Sequence, residues 1–405
     1  MDARAAAELA VPRHLILFIG ALVALGALSL DTYLPAMPVM AQSFGVSIVE
    51  LNNTISIYLV GYGIGQFFGG SFSDQIGRKR IGLIGLSVFT TACIAISFAH
   101  TVQQVEWLRF LQAIGGGFST VICMAIVRDV YPVAELGRRM AMVMLVMLAS
   151  PVIAPSIGAL LLHLGWQSIF VFKAIYASSL GLYYVLFVPE TRPGRWGNLS
   201  PVTVLKQCGH VISRKVDGRR LPMLYAFAMA LGASTFMTFL TNSSFAYIQY
   251  FGVSEIMFPA YFALSILGMI GTNTFSMKRL NTSNAPRFFR LGLGVQLAAV
   301  VVLAIVVLLG APSIWLVVAP VMFVVASLGL IGPSGSSQYM SHFSQLAGSA
   351  SSMYTTLLFS LGAFFGALSG VFFDGTLRPM ALTMLGTSML ANLIAARIYA
   401  QRAEA

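Results

Sequence analysis

The charged residues of this chain fall in short runs, and the stretches between the runs stay apolar for about 20 residues at a time. From Leu291 to Phe373 there is no Lys, Arg, Asp or Glu at all. Such segments cross a bilayer as helices, because a helix satisfies its own backbone polar groups where no water reaches them. Composition extends the argument to the whole molecule. Of 405 residues, 58% are hydrophobic and 9% charged, against about 25% charged in an ordinary soluble domain. Soluble enzymes, secreted domains and disordered chains are excluded. The net charge of +11 implies no nucleic-acid partner, since the basic residues are parcelled out between apolar segments. Three cysteines, Cys93, Cys123 and Cys208, supply neither a metal spacing nor a disulfide framework.

The pattern predicts an all-α membrane protein with twelve transmembrane helices. They start near His14, Leu51, Ile81, Gln104, Arg139, Gln167, Pro222, Ile256, Phe288, Pro312, Leu346 and Pro379. The first is followed by many others, so it reads as a span rather than a cleaved signal peptide. Gly332-Pro333-Ser334-Gly335 through Ser344 is taken as the break between the tenth and eleventh spans. With both termini cytoplasmic, 21 of the 24 basic residues collect on the inner side, as the positive-inside rule requires. The polar stretch Pro189–Arg220, with seven basic residues, reads as a cytoplasmic linker. The expected organisation is therefore a six-helix bundle over 1–189, a linker over 190–221 and a second six-helix bundle over 222–405, the layout of a two-bundle transporter.

Between the second and third spans lies Gly70-Ser71-Phe72-Ser73-Asp74-Gln75-Ile76-Gly77-Arg78-Lys79-Arg80. Gly77 permits a tight turn. Asp74 ends one helix, and Arg78, Lys79 and Arg80 hold the loop at an anionic inner surface. The expected partner of Asp74 is Arg128 or the start of the eleventh span near Leu346, in a contact that breaks as the inner side opens. Gly61, Gly65 and Gly69 recur every four residues, a spacing for close helix contact. Tyr58, Tyr62 and Gln66 form the adjacent face.

These motifs resemble the major facilitator superfamily. The Gly70–Arg80 run is similar to its signature loop. Leu30-Asp31-Thr32-Tyr33-Leu34-Pro35-Ala36-Met37-Pro38 resembles the first-helix signature of the drug:proton antiporter branch, and more narrowly its bicyclomycin/chloramphenicol-resistance type. Leu108-Arg109-Phe110-Leu111-Gln112-Ala113-Ile114-Gly115 resembles the fourth-helix motif, and Val127-Arg128-Asp129-Val130-Tyr131 its cytoplasmic end. The fifth-helix motif departs from the family pattern, reading Pro151, then Ala154-Pro155-Ser156-Ile157-Gly158-Ala159. The resemblance implies a pseudo-symmetric major facilitator fold in a bacterial inner membrane. It also implies antiport of a small molecule against protons, with no cofactor beyond the proton gradient. A monomer is expected, with the lipid bilayer as its surroundings.

Three ionisable residues lie inside predicted spans: Asp31, Arg109 and Lys173. Such residues are costly in a membrane and mark function. Asp31, the one acid among them, is the expected proton-coupling residue, about 7 Å of helical rise from the outer end. Arg109 is its expected partner, with Gln112 one turn on and Tyr33, Tyr58, Tyr62 and Gln66 lining the substrate site. Lys173 is read mainly as a snorkelling lysine. Met144, Met147, Phe236, Met237 and Phe239 suit a cavity for varied lipophilic ligands. No Gly-Lys-Ser/Thr phosphate loop is present, and the five histidines form no catalytic or metal pattern, so no enzyme is expected. The expected activity is proton-coupled efflux of lipophilic or amphipathic compounds such as antibiotics. The alternative is a dedicated exporter of one metabolite or siderophore-like compound.

Overall fold

The computed structural model describes residues 14–192, 201–216, 218–281, 283–310, 312–343 and 347–403. Among them, extended residues bridge once, at Val216 and Arg219, and helices make up the rest of the regular structure. The first six rods begin with α1 (Leu15–Asp31), continued by α2 (Met37–Phe44). Then come α3 (Ile48–Ile76), α4 (Arg78–Ser97) and α5 (Val102–Val121), which α6 (Cys123–Val130) extends. α7 (Val133–Leu162) and α8 (Gln167–Phe187) complete the set. A shorter helix, α9 (Pro201–Ser213), lies within the stretch expected to be a plain linker. Six more rods follow: α10 (Leu221–Ser244), α11 (Phe258–Arg279), α12 (Ala285–Leu308), α13 (Ile314–Met340), α14 (Ala347–Val371) and α15 (Arg378–Ala403).

Ten of the twelve rods are long and apolar enough to cross a membrane. The other two, α3 and α11, have the length but more polarity. α3 carries Asn52, Asn53, Gln66 and Asp74, and α11 carries Thr272, Asn273 and Thr274 before Lys278.

The break expected from Gly332 through Ser344 falls in the later part of that stretch, because α13 runs through Pro333 to Met340. Proline has no N–H to give the carbonyl four residues back, here that of Gly329. Ser276 of α11 supplies the missing donor, its Oγ donating to Gly329 O at 2.7 Å. A neighbouring helix thus repairs the ladder, and the chain turns only after Met340.

Close packing follows from the glycine spacing on α3. A Cβ at Gly61 would come within 2.6 Å of the Phe110 carbonyl, and one at Gly65 within 2.6 Å of that of Ile114. α3 and α5 therefore touch backbone to backbone.

The buried apolar residues show how the two sets of rods meet. At the end of the molecule that carries Tyr33, one core joins them. Tyr33, Leu34, Met37, Leu51 and Ile55 pack in the same cluster as Phe239, Leu240, Phe245, Tyr247 and Phe258. Polar bonds reinforce this joint: Ser244 Oγ donates to Leu34 O at 2.7 Å. With its amide oriented to suit its neighbours, Asn52 Nδ2 donates to Thr241 O at 3.0 Å. At the end that carries Arg78 the cores are separate. One holds Leu15, Ile19, Ile81, Phe89 and Val127, all from the first rods. The other holds Tyr225, Phe289, Ile331, Tyr339 and Ile398, all from the later ones. Between them opens a cavity of about 270 Å³, walled by Gln66, Gly70, Asp74 and Arg128 on one side and Ser349, Ser352 and Thr355 of α14 on the other. Among the described residues, the two sets of rods share a core at the Tyr33 end and have a cavity between them at the Arg78 end.

Candidate functional site

A break in the first rod creates the site. Pro35 cannot continue the helical ladder, and the chain passes from α1 through a 3-10 turn, Leu34–Ala36, into α2. Because the rod continues to Phe44, Asp31 lies about 20 Å of helical rise from its end, far deeper than expected. The turn frees the Ser29 carbonyl, at the negative end of the α1 dipole. Two cations converge on that oxygen. Arg109 Nη1 and Lys173 Nζ each donate to it at 3.0 Å.

Both cations are buried, Arg109 at 0% exposure and Lys173 at 1%. Lys173 does not snorkel, which corrects the expectation. Its ammonium turns inward, where the α1 break offers an acceptor and the Phe170 ring a π-face at 4.8 Å. Arg109 lies between two aromatic rings, 4.7 Å from Tyr33 and 4.3 Å from Tyr58. Its Nη1 also donates to Gln112 Oε1 at 2.8 Å, while its Nε and Nη2 have no partner among the described residues. Arg109 Nη1 and Lys173 Nζ both lie 3.0 Å from the Ser29 oxygen, so they are no more than about 6 Å apart. At an effective dielectric of about 20, two like charges at that distance repel by about 3 kcal/mol.

Asp31 is buried beside this pair. It forms no ion pair with Arg109, contrary to expectation, and the cation that acts on its carboxyl is Lys173. The reason is geometric: Arg109 is held by Ser29, Gln112 and two rings. Gln112 Nε2 is directed to Cys93 Sγ at 2.8 Å, and Tyr33 Oη bonds Thr54 Oγ1 at 2.9 Å.

A polar track links the cluster to the cavity. The Tyr58 and Tyr62 rings stack at 6.0 Å. Tyr62 Oη bonds Thr120 Oγ1 at 2.7 Å, and Gln66 Nε2 donates to the same oxygen at 2.9 Å. Gln66 lines the cavity. Thr120 was not singled out from the sequence, and neither were Ser29 and Cys93. Each is small and carries no motif, so only its neighbours reveal it.

At the Arg78 end, Gly77 has φ +114, and a Cβ there would strike the Glu190 carboxylate. The chain therefore reverses tightly from α3 into α4. Glu190 accepts from the backbone N–H of Arg78 at 2.8 Å and of Lys79 at 3.1 Å, capping α4 from a distant stretch. Asp74 pairs with Arg78 at 2.6 Å and Arg192 at 3.3 Å, not with Arg128, and Arg78 Nε also meets Asp129 at 3.2 Å. The tight turn brings Arg78 back onto Asp74, whereas Arg128 is exposed at the cavity wall. This network is formed beside the cavity. Leu346 lies outside the described residues. Arg80 is exposed and bonds Ile76 O at 3.2 Å, and Lys79 Nζ bonds Val185 O at 2.9 Å.

The α7 motif meets the α1 break directly. A Cβ at Gly158 would collide with the Thr32 carbonyl, so glycine allows the two backbones to touch. Pro151 and Pro155 sit inside the same helix. Of the residues expected to line a cavity, Phe239 belongs instead to the joint core.

A family model described as the Major Facilitator Superfamily matches residues 17–367. The chain is 26% identical over 384 residues to a bicyclomycin resistance protein homolog of Haemophilus influenzae, with 94% of each chain covered. It is 29% identical over 347 residues to a chloramphenicol resistance protein of Pseudomonas aeruginosa, covering 82% of this chain and 78% of that one. A solved structure of a peptide transporter, POT, in complex with sulfate superposes with a TM-score of 0.76 at 14% identity, over 100% of this chain and 98% of the other. That likeness bears on fold alone.

Proposed function

Because the chain belongs to the major facilitator superfamily, and is thus a multi-pass membrane transporter rather than an enzyme, we propose that it exports small lipophilic or amphipathic compounds in exchange for protons. The Arg78 end is then cytoplasmic, and the open cavity is the inward-facing state in which substrate enters. The membrane is the bacterial inner membrane, with both termini inside, and the working unit is a monomer. Residues 1–189 and 222–405 act as the two bundles that rock about a central site. The resistance names of the relatives support a drug-like substrate.

One observation carries the reading. Three buried charges, Asp31, Arg109 and Lys173, gather around a broken first helix, at the far end of a track that begins in the cavity. A group that exchanges protons must feel different surroundings in the two access states, and this is where access changes. Asp31 is the acid on which coupling depends. Arg109 keeps its proton throughout and tunes the site. Gln112, Tyr33, Tyr58, Tyr62 and Gln66 form the walls along which substrate passes. The Gly70–Arg80 loop, with Arg128 and Asp129, guides closure of the inner side, and Pro151, Pro155 and Gly158 shape the helix that slides over the α1 break.

The test is accumulation of chloramphenicol in bacteria expressing the chain, with and without a protonophore. The reading expects low accumulation that rises when the protonophore is added. Equal accumulation in cells with and without the protein would refute chloramphenicol export. A single compound exported from a broad panel would favour the dedicated exporter.

A further inference from the structure

We infer that Lys173 is a second proton-exchanging group of the transport site, with Asp31 as its counter-ion. The inference rests on the proton-coupled reading above and deepens it. Three charged groups share one buried pocket, and two of them bond the same carbonyl oxygen of Ser29 at 3.0 Å. Arg109 is a permanent cation. With Asp31 ionised and Lys173 protonated, the cluster carries a net single positive charge where water does not reach. Loss of one proton from the Lys173 ammonium leaves Arg109 and Asp31 balancing each other, and the cluster neutral.

The neutral amine keeps two N–H groups, so it still donates to Ser29, and no bond to the scaffold is lost. The other groups that face Lys173 are Cys93 of α4, Tyr33 of the turn after α1 and Phe170 of its own helix. None of them is a permanent anion, so Asp31 is the one full negative charge that faces the ammonium, beside the Ser29 carbonyl and the Phe170 ring. Lysine suits this use because its proton affinity responds to burial, whereas arginine does not release its proton. The step is a proton transfer alone: Lys173 Nζ gives one proton to water on the side to which the site opens, and regains one from the other side.

Two variants test it, Lys173→Arg as a fixed cation and Lys173→Gln as a fixed neutral donor. Both can bond Ser29, so at least one retains the fold. In proteoliposomes carrying the wild type, an imposed potential of 100 mV should sustain a chloramphenicol gradient of up to about 50-fold per proton. Both variants should lose that gradient and still exchange chloramphenicol downhill. Chloramphenicol binding to the purified wild type should release protons into weakly buffered detergent solution, and binding to either variant should release fewer. If Lys173→Arg concentrates chloramphenicol as the wild type does, Lys173 is a positional cation and the inference is overturned. If the wild type builds no gradient, it is the export reading itself that fails.

Discussion

The first six rods and the last six are built alike but use polarity differently. In the first six, the buried polar residues include Asp31, Arg78, Arg109 and Lys173. In the last six, the buried polar residues described are uncharged, and they bond one another, their own helices or the backbone of a neighbouring helix, with Gln296 Oε1 and Ser388 Oγ left without a partner among the described residues. Thr235 Oγ1 bonds Thr387 Oγ1 at 2.9 Å, Asn242 Nδ2 donates to Ser369 Oγ at 2.8 Å, and Gln296 Nε2 donates to Gly232 O at 3.0 Å. Helices in a bilayer gain little from apolar contact with one another, so hydrogen bonds and close packing hold them. The later rods thus spend their polar groups on cohesion. The earlier rods keep charges whose full satisfaction is incomplete, as the open donors of Arg109 show. The comparison fits the proposed reading, in which the chemistry sits among the first six rods and the last six serve as their counterpart.

The sharpest way to break the comparison is Asp31→Asn. It removes the one acid beside Lys173 and Arg109 while keeping shape. Gradient-driven export of chloramphenicol should fall to background, a loss of up to about 50-fold at 100 mV. Folded protein in the membrane should remain. A variant that still concentrates substrate would move the coupling group out of the first bundle.

Next in size is Asp74→Ala. Asp74 is half exposed at the cavity wall, and its ion pair with Arg192 joins two half-exposed groups, so the stability cost should be under about 1 kcal/mol. Export should fall by about tenfold, within the range of coupling energies between sites, with the amount of membrane protein unchanged. Wild-type export would leave the loop a mere anchor.

Asn242→Asp asks whether the second bundle tolerates what the first contains. Asn242 Nδ2 donates to Thr238 O and Ser369 Oγ, both at 2.8 Å. A carboxylate cannot donate, and a buried polar group left unpaired costs about 1–3 kcal/mol. The purified variant should melt at a lower temperature, while any protein that folds should keep proton-driven export. Unchanged melting would mean that the later rods accept a charge as readily as the earlier ones.

How far the sequence foretold this depends on what each feature requires. Helix number and position are legible because the bilayer dictates segment length and hydropathy. The loop Gly70–Arg80 and the pair Asp31 and Arg109 stand out as motifs. Partners are less legible. Asp74 was expected on Arg128 or on the start of the eleventh span near Leu346, which lies outside the described residues; the tight turn at Gly77 returns Arg78 to it, and Arg192 reaches it from beyond α8. Lys173 lies six residues into α8, near enough to a helix end to suggest snorkelling. Nothing in its own helix announces the carbonyl that holds it, since that acceptor is free only because Tyr33 N–H turns to Leu30 O where another helix ends. Glu190 likewise caps α4 across more than 100 residues of chain. Local pattern reports a residue's cost in the membrane, and only the fold reports what offsets it.

The smallest predicted effect tests cohesion at its most local. Pro333 lies in the stretch Gly332–Ser344 that was read as the break between two spans, and it removes a donor from the helix ladder. In the structure Ser276 Oγ fills that place, donating to Gly329 O at 2.7 Å. Ser276→Ala deletes the donor and little else, because the serine side chain is buried against α13 and carries no charge. The expected cost is about 1–3 kcal/mol, because the Gly329 carbonyl is left unpaired, read as a fall in melting temperature. Export should keep its full proton dependence, since Ser276 belongs to the bundle that supplies stability. If Ser276→Ala instead weakens export as Asp74→Ala should, the α11–α13 contact takes part in the rocking motion, and the division of labour between the bundles is less complete than their buried charges imply.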